Sequence, residues 1–107
     1  LTKKNKKIIV NLAINYGSKN EILNTFKKIK KKVTETKFEN NLYLRGIPNP
    51  DILIRTGGHQ RLSNFMLWQL AYSELFFINK LWPDFKNNDL VKIIKKYKKI
   101  KRNFGAI

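Results

Sequence analysis

Apolar residues fall in separate blocks along the chain, and the spacing within each block predicts a different element. The run IIVNLAI at 8–14 is short, largely apolar and rich in β-branched residues, and it predicts a buried strand. Asn15-Tyr16-Gly17-Ser18 reads as a turn, after which Ser18 or Asn20 is placed to cap a helix over about residues 20 to 36. Ile22, Leu23, Phe26, Ile29 and Val33 recur there at helical spacing, with lysines on the other face. No period is visible over 37–50, where Gly46, Pro48 and Pro50 mark a loop. Asp51 to Thr56 predicts a second strand, ended by Gly57-Gly58. Ser63 or Asn64 would cap a helix over roughly 64–78, apolar nearly all round and therefore buried on most sides. Leu81-Trp82-Pro83-Asp84-Phe85 interrupts the pattern. Asp89 would then cap a last helix to about residue 101, with Leu90, Ile93, Ile94, Tyr97 and Ile100 on one face.

The order β-α-β-α-α predicts an α/β layered domain with a mainly parallel sheet flanked by helices. Two strands make a poor sheet. That shortage, and Leu rather than Met at position 1, lead us to expect a piece of a longer protein.

Composition narrows the picture. At 107 residues and 42% hydrophobic, the chain suits one small domain. It has no cysteine, hence no disulfide and no thiolate metal site, which fits a reducing compartment. No apolar run reaches the roughly 20 residues needed to span a bilayer, and no leader pattern opens the sequence. The formal charge of +16, from 23 basic and 7 acidic residues, raises nucleic-acid binding. However, the lysines are scattered over several segments. Lys, Asn and Ile, all abundant, share A/T-rich codons, so compositional drift ranks above a nucleic-acid partner. Attraction to anionic lipid headgroups is a third reading. Against this lysine background the four arginines, Arg45, Arg55, Arg61 and Arg102, carry information. A guanidinium is a rigid fork of donors that matches phosphate oxygens, which an ammonium cannot copy.

Two of those arginines sit in DILIRTGGHQRLSNFMLWQLAYSE (51–74). A strand ending in Gly-Gly and feeding a helix start is an anion site by geometry, because first-turn N–H groups lack partners and glycine lets backbone approach a ligand. Arg55, Arg61 and Ser63 could converge there on one diphosphate; the competing reading is a tight turn with two surface arginines. Glu74 stands among Leu70, Ala71, Tyr72, Leu75, Phe76 and Phe77, where a carboxylate needs a partner. A metal such as Mg²⁺ would provide one, as would a lysine. Ser63 and Glu74 are eleven positions apart, about 16 Å on a helix, too far for one self-contained site. Either the helix starts late or Glu74 serves a site shared across a subunit interface. His59, the only histidine, reads first as a polar turn residue, with phosphate, proton or metal roles as alternatives. No Ser/His/Asp set or Walker loop is evident, and no catalytic residue is identified in the chain.

From Pro50 to Phe85 the sequence closely resembles the C-terminal signature of the cis-prenyltransferase family, in particular its bacterial undecaprenyl diphosphate synthase branch. The matching residues are Asp51, Ile54-Arg55-Thr56, Gly58, Gln60-Arg61, Ser63-Asn64-Phe65, Trp68-Gln69, Ala71-Tyr72, Glu74-Leu75 and Trp82 to Phe85. Asn11, Ala13 and Asn15-Tyr16-Gly17 extend the resemblance upstream. It covers most of this chain but only about the second half of a full family member. Residues 1–107 would thus be the C-terminal portion of a single catalytic domain whose N-terminal half is absent.

The resemblance implies Mg²⁺-dependent condensation of isopentenyl diphosphate onto an allylic diphosphate such as farnesyl diphosphate. The expected product is a long-chain polyprenyl diphosphate for the cell-wall lipid carrier. Arg55, Arg61, Ser63 and the backbone at Leu62 would hold isopentenyl diphosphate, Glu74 would help bind Mg²⁺, and the helix from Trp68 to Phe77 would help form a homodimer. A cytoplasmic location, with peripheral association at the inner face of the membrane, and no nucleic-acid partner complete the expectation. Two positions depart from the family pattern. His59 stands where glutamate is usual, as a candidate modulator. The C-terminal Arg-x-Gly element falls on Asn103-Phe104-Gly105, with Arg102 one place early. Without the family's N-terminal phosphate loop, the 107-residue chain is expected to be inactive alone. A non-catalytic subunit of a prenyltransferase and a basic nucleic-acid-binding module remain the alternatives.

Overall fold

Residues 52–55 and 74–77 alternate little and carry β-branched or aromatic side chains, and they pair as the two strands of a parallel sheet. The computed structural model describes residues 4–104. Its elements run α1 (Ser18–Lys28), α2 (Glu35–Glu39), β1 (Ile52–Arg55), β2 (Glu74–Phe77), a 3₁₀ turn (Trp82–Asp84) and α3 (Asn87–Tyr97). In register, Ile52 faces Glu74 and Arg55 faces Phe77. Hydrogen bonds extend the ladder at both ends, from Glu74 N–H to the Asp51 carbonyl (2.9 Å) and from Ile78 N–H to the Arg55 carbonyl (2.9 Å). The α/β architecture with parallel strands is therefore as expected, and so are β1 and the break at Trp82–Asp84.

Three elements differ. The predicted helix over 64–78 is replaced by turns through residue 72 and then β2. Ser63, Asn64 and Met66 adopt positive φ (49°, 62° and 46°), which no right-handed helix contains. The all-round apolar pattern belongs to a crossover in which only Gln69 and Leu70 are buried, not to an element buried on most sides, and a short apolar run does not distinguish strand from helix. The strand predicted at 8–14 does not form a ladder, since a strand exists only against a neighbour. Ile8, Val10, Leu12 and Ile14 are at least 76% exposed. The single helix predicted over 20–36 divides at Ile29, whose backbone is extended, and Thr34 starts α2 by accepting the Lys37 N–H.

α1 is also rotated relative to its sequence pattern. Its buried residues are Ser18, Glu21 and Thr25, while Leu23 and Phe26 are 59% and 58% exposed. The buried stripe is polar because it is hydrogen-bonded to the crossover. Asn64, not Ser18 or Asn20, caps the helix: its carbonyl accepts Ser18 N–H and its Oδ1 accepts Lys19 N–H, both at 2.8 Å. A Cβ at Gly17 would come within 2.8 Å of the Asn64 side-chain amide, so any larger residue would displace the cap. Ser18 Oγ in turn accepts Leu67 N–H at 2.9 Å.

The apolar core is small: Phe38, Leu42, Leu70 and Ile93, with Phe38 and Trp68 at 4.5 Å between ring centroids. α3 begins two residues before Asp89, which occupies the third helical position and accepts the Lys86 N–H rather than capping the helix itself. Only Ile93 of its apolar face is fully buried. The radius of gyration, 16.2 Å, exceeds the ~13 Å of a compact chain this long, in keeping with the exposed segment 8–14.

Candidate functional site

The carboxyl end of β1 delivers Arg55 into a cleft of about 350 Å³ lined by Leu53, Ile54, Thr56, Arg61, Leu62, Ser63 and Phe65. Gly57 and Gly58, at φ 89° and 75°, fold the chain back so that their N–H groups reach the carbonyls of Lys80 and Ile78. That turn returns residues 61–63 to the strand end. Arg55 Nη1 donates to Ser63 Oγ at 2.9 Å and to the Arg61 carbonyl. The guanidinium is fixed by neutral oxygens only. With Arg61 exposed beside it and no carboxylate in the lining, the cleft keeps two positive charges without a counter-charge. Thr56 and Ser63 add hydroxyl donors. This arrangement suits a multiply charged anion of diphosphate type.

All four residues expected at a diphosphate, Arg55, Arg61, Leu62 and Ser63, therefore line one cleft. The expected helix N-terminus is not there, because the crossover turns through positive φ at Ser63 and Asn64. Donors come from side chains instead. His59 is exposed on the loop and does not line the cleft.

Glu74 is not brought to this cleft. It opens β2 opposite Ile52, three residues along the ladder from Arg55, about 10 Å. Its carboxylate lies 4.0 Å from Arg102 Nε. The puzzle of a helix too long for one site disappears with the helix itself. Arg102 pairs with Asp51 and donates to Tyr97 Oη at 2.7 Å and the Tyr72 carbonyl at 2.9 Å, and it stacks 4.4 Å from the Phe104 ring. Asp51 foremost, opposed by burial and supported by Tyr97, raises the guanidinium pKa further. Among the described residues no cluster of three His, Cys, Asp or Glu side chains could hold a metal ion. Glu74, which faces Arg102 together with Asp51, does not make a Mg²⁺ site among the described residues. Of the C-terminal element, Asn103 and Phe104 are exposed and Gly105 lies outside the described residues.

Sequence reasoning missed Glu21. This 1% exposed carboxylate accepts hydrogen bonds from Tyr16 Oη, Tyr43 N–H (2.8 Å) and Gln69 Nε2 (3.1 Å). Burial, and then the bond to Glu21, push the Tyr16 phenol from 10.0 up to about 12. The network ties α1 to the crossover that carries Ser63, and so supports the cleft from behind. The available signal was that Glu21 is the only acidic residue before Glu35 in a stretch crowded with lysine.

Comparison with known proteins shows the family. The family described as putative undecaprenyl diphosphate synthase matches residues 1–105. The isoprenyl transferase of Clostridium tetani is 46% identical over 99% of this chain and 46% of its own length. That of Thermotoga maritima is also 46% identical, over 99% of this chain and 49% of its own. The crystal structure of a probable undecaprenyl diphosphate synthase from Campylobacter jejuni superposes with a TM-score of 0.79 at 35% identity, covering 86% of this chain and 45% of that one. Lavandulyl diphosphate synthase from Lavandula x intermedia, in complex with dimethylallyl diphosphate, gives the same score at 36% identity, over 86% and 44%. The chain spans about half the length of the curated relatives it matches.

Proposed function

The chain belongs to the prenyltransferase family of undecaprenyl diphosphate synthases, and on that premise we propose that it forms the isopentenyl diphosphate-binding half of a cis-prenyltransferase. The assembled enzyme condenses isopentenyl diphosphate onto an allylic diphosphate such as farnesyl diphosphate, making a long-chain polyprenyl diphosphate such as undecaprenyl diphosphate. One observation carries this reading: Arg55 and Arg61 share a cleft with Ser63 and have no carboxylate beside them. A structural relative bound to dimethylallyl diphosphate supports a ligand of the same class.

Arg55 and Arg61 bind the diphosphate oxygens, and Ser63 both orients Arg55 and offers its hydroxyl. Leu62 contributes backbone to the cleft. His59, exposed beside it, modulates the local charge. The enzyme requires Mg²⁺ when assembled. Glu74 contributes to that requirement only with ligands from outside the described residues and after release from Arg102. Assembly is as a homodimer, in the cytoplasm, with peripheral association at the inner face of the membrane. The chain alone is inactive, because it spans about half the length of its relatives and the described residues offer one diphosphate cleft for two substrates.

Two measurements test this. Purified residues 1–107, given farnesyl diphosphate, labelled isopentenyl diphosphate and Mg²⁺, should make no extended product; elongation would refute the half-site account. In the assembled enzyme, Arg55→Ala and Arg61→Ala should each raise the KM for isopentenyl diphosphate at least about tenfold. Unchanged KM and turnover in both would refute the assignment of the cleft. An assembled protein that binds isopentenyl diphosphate through these arginines yet never turns over would favour the non-catalytic subunit.

A further inference from the structure

The loop between β2 and α3 carries two large apolar side chains that stand largely uncovered among the described residues. Leu81 is 63% and Trp82 73% exposed. Trp82 is held in place by stacking on Phe85, 6.0 Å between centroids and 10° between planes. The loop is fixed to the start of α3: Lys80 Nζ pairs with Asp89 at 2.8 Å, and Asp89 also accepts the Lys86 N–H at 2.9 Å. Lys80 first, then the Lys86 N–H, lower the Asp89 pKa, so this tether is in place at neutral pH.

From Asp89 a row of lysines leads away along the helix. Lys92, Lys95, Lys96 and Lys99 follow at i, i+3, i+4 and i+7, so they share one face; all are exposed. Lys99 remains on that face because the helical turn continues past Tyr97, with Lys99 N–H bonded to the Lys96 carbonyl. Ile93 and Tyr97 point to the other side, toward the body of the chain. The only acid on α3 is Asp89, already paired; Asp84, exposed in the 3₁₀ turn, is the one opposing charge nearby. An apolar, indole-bearing tip thus stands at the end of a cationic stripe.

We propose that this surface docks the chain on an anionic bilayer, with Leu81 and Trp82 entering the headgroup region and Lys92, Lys95, Lys96 and Lys99 lying over acidic lipid. An indole prefers the boundary between headgroups and acyl chains, and juxtamembrane lysines are drawn to acidic headgroups. A nucleic acid would use the lysines but has no place for the aliphatic Leu81. This inference deepens the membrane part of the proposed function and rests on that part alone; prenyl transfer plays no role in it, and its test requires no turnover.

The test uses the chain with Trp68→Phe, so that Trp82 is the only indole, and vesicles of phosphatidylcholine with or without phosphatidylglycerol. Co-sedimentation should require phosphatidylglycerol, weaken with salt, and shift Trp82 emission to the blue. Replacing the four stripe lysines by glutamine should weaken partitioning about 100-fold or more. Leu81→Ser with Trp82→Ser should weaken it roughly tenfold while leaving the salt dependence intact. Both sets of side chains are exposed, and circular dichroism of each variant should match the parent. Equal binding to neutral vesicles, unchanged binding by the glutamine variant, or a blue shift that grows with protein concentration in the absence of lipid would each overturn the proposal. Displacement from vesicles by a polynucleotide at equal phosphate concentration would do the same.

Discussion

The two ends of the β1–β2 sheet each hold an arginine beside a hydroxyl, yet the two face different charges. At the carboxyl end, Arg55 is fixed by Ser63 Oγ and the Arg61 carbonyl. Neutral oxygens orient a guanidinium without neutralising it, so the end stays attractive to an anion. At the amino end, Arg102 meets Asp51 and, at 4.0 Å, Glu74, together with the hydroxyl of Tyr97 and the Tyr72 carbonyl. There the charge is compensated, and the arginine holds residues 102–104 against the first residues of both strands. The same side chain is left free for an anion at one end and is a clamp at the other, and what decides is whether carboxylates stand opposite.

The largest expected effect separates the ends by ligand binding. Arg55→Ala should weaken isopentenyl diphosphate binding about 100-fold, and Arg55→Lys about tenfold, since lysine restores charge but not the fork. Equal affinities of the lysine variant and the parent, by calorimetry, would make Arg55 a mere point charge. Next, Arg102→Ala should lower the melting temperature modestly, through loss of the bonds to the Tyr97 hydroxyl and the Tyr72 carbonyl, because the pair with the exposed Asp51 is screened by water. A melting temperature unchanged by that substitution would remove the clamp from the account. Glu74→Gln should change stability by less than about 0.5 kcal/mol, since a pair at this separation with a third of its carboxylate side chain exposed contributes little.

The last effect appears only at alkaline pH, in the network that joins α1 to the crossover. Tyr16 keeps its proton in the folded chain up to about 12, whereas the unfolded chain releases it near 10.0. Between those values the unfolded state binds fewer protons, so stability falls as pH rises. Its contribution is complete below pH 10.0 and is lost through about 12. Tyr16→Phe should be less stable at neutral pH but flatter across that alkaline window in denaturant titrations. An identical alkaline slope in the variant would assign the dependence to other groups.

Much of the carboxyl end of the sheet was legible in the sequence. Arginine stands out in a lysine-rich chain, Gly57-Gly58 marks the end of a strand, and both signals are local. The amino end was not legible, because Glu74 was placed by an apolar pattern that fits a buried helix and a strand preceded by turns equally well. Its partner Arg102 lies 28 positions away, and no periodicity connects residues that only a sheet brings together. The inverted face of α1 has the same origin. Leu23 and Phe26 marked a stripe, but Asn64 and Leu67 captured the polar one through hydrogen bonds made across the fold. Glu21 was passed over for that reason, although its isolation among lysines was visible.

The most direct test of the contrast is isopentenyl diphosphate binding by three forms of the chain: unaltered, Arg55→Ala/Arg61→Ala, and Arg102→Ala, each at a temperature where circular dichroism shows it folded. The account predicts saturable binding in the first, loss of at least about 100-fold in the second, and affinity within about twofold of the first in the third. Affinity retained by the double variant, or lost with Arg102 from a chain that remains folded, would contradict it.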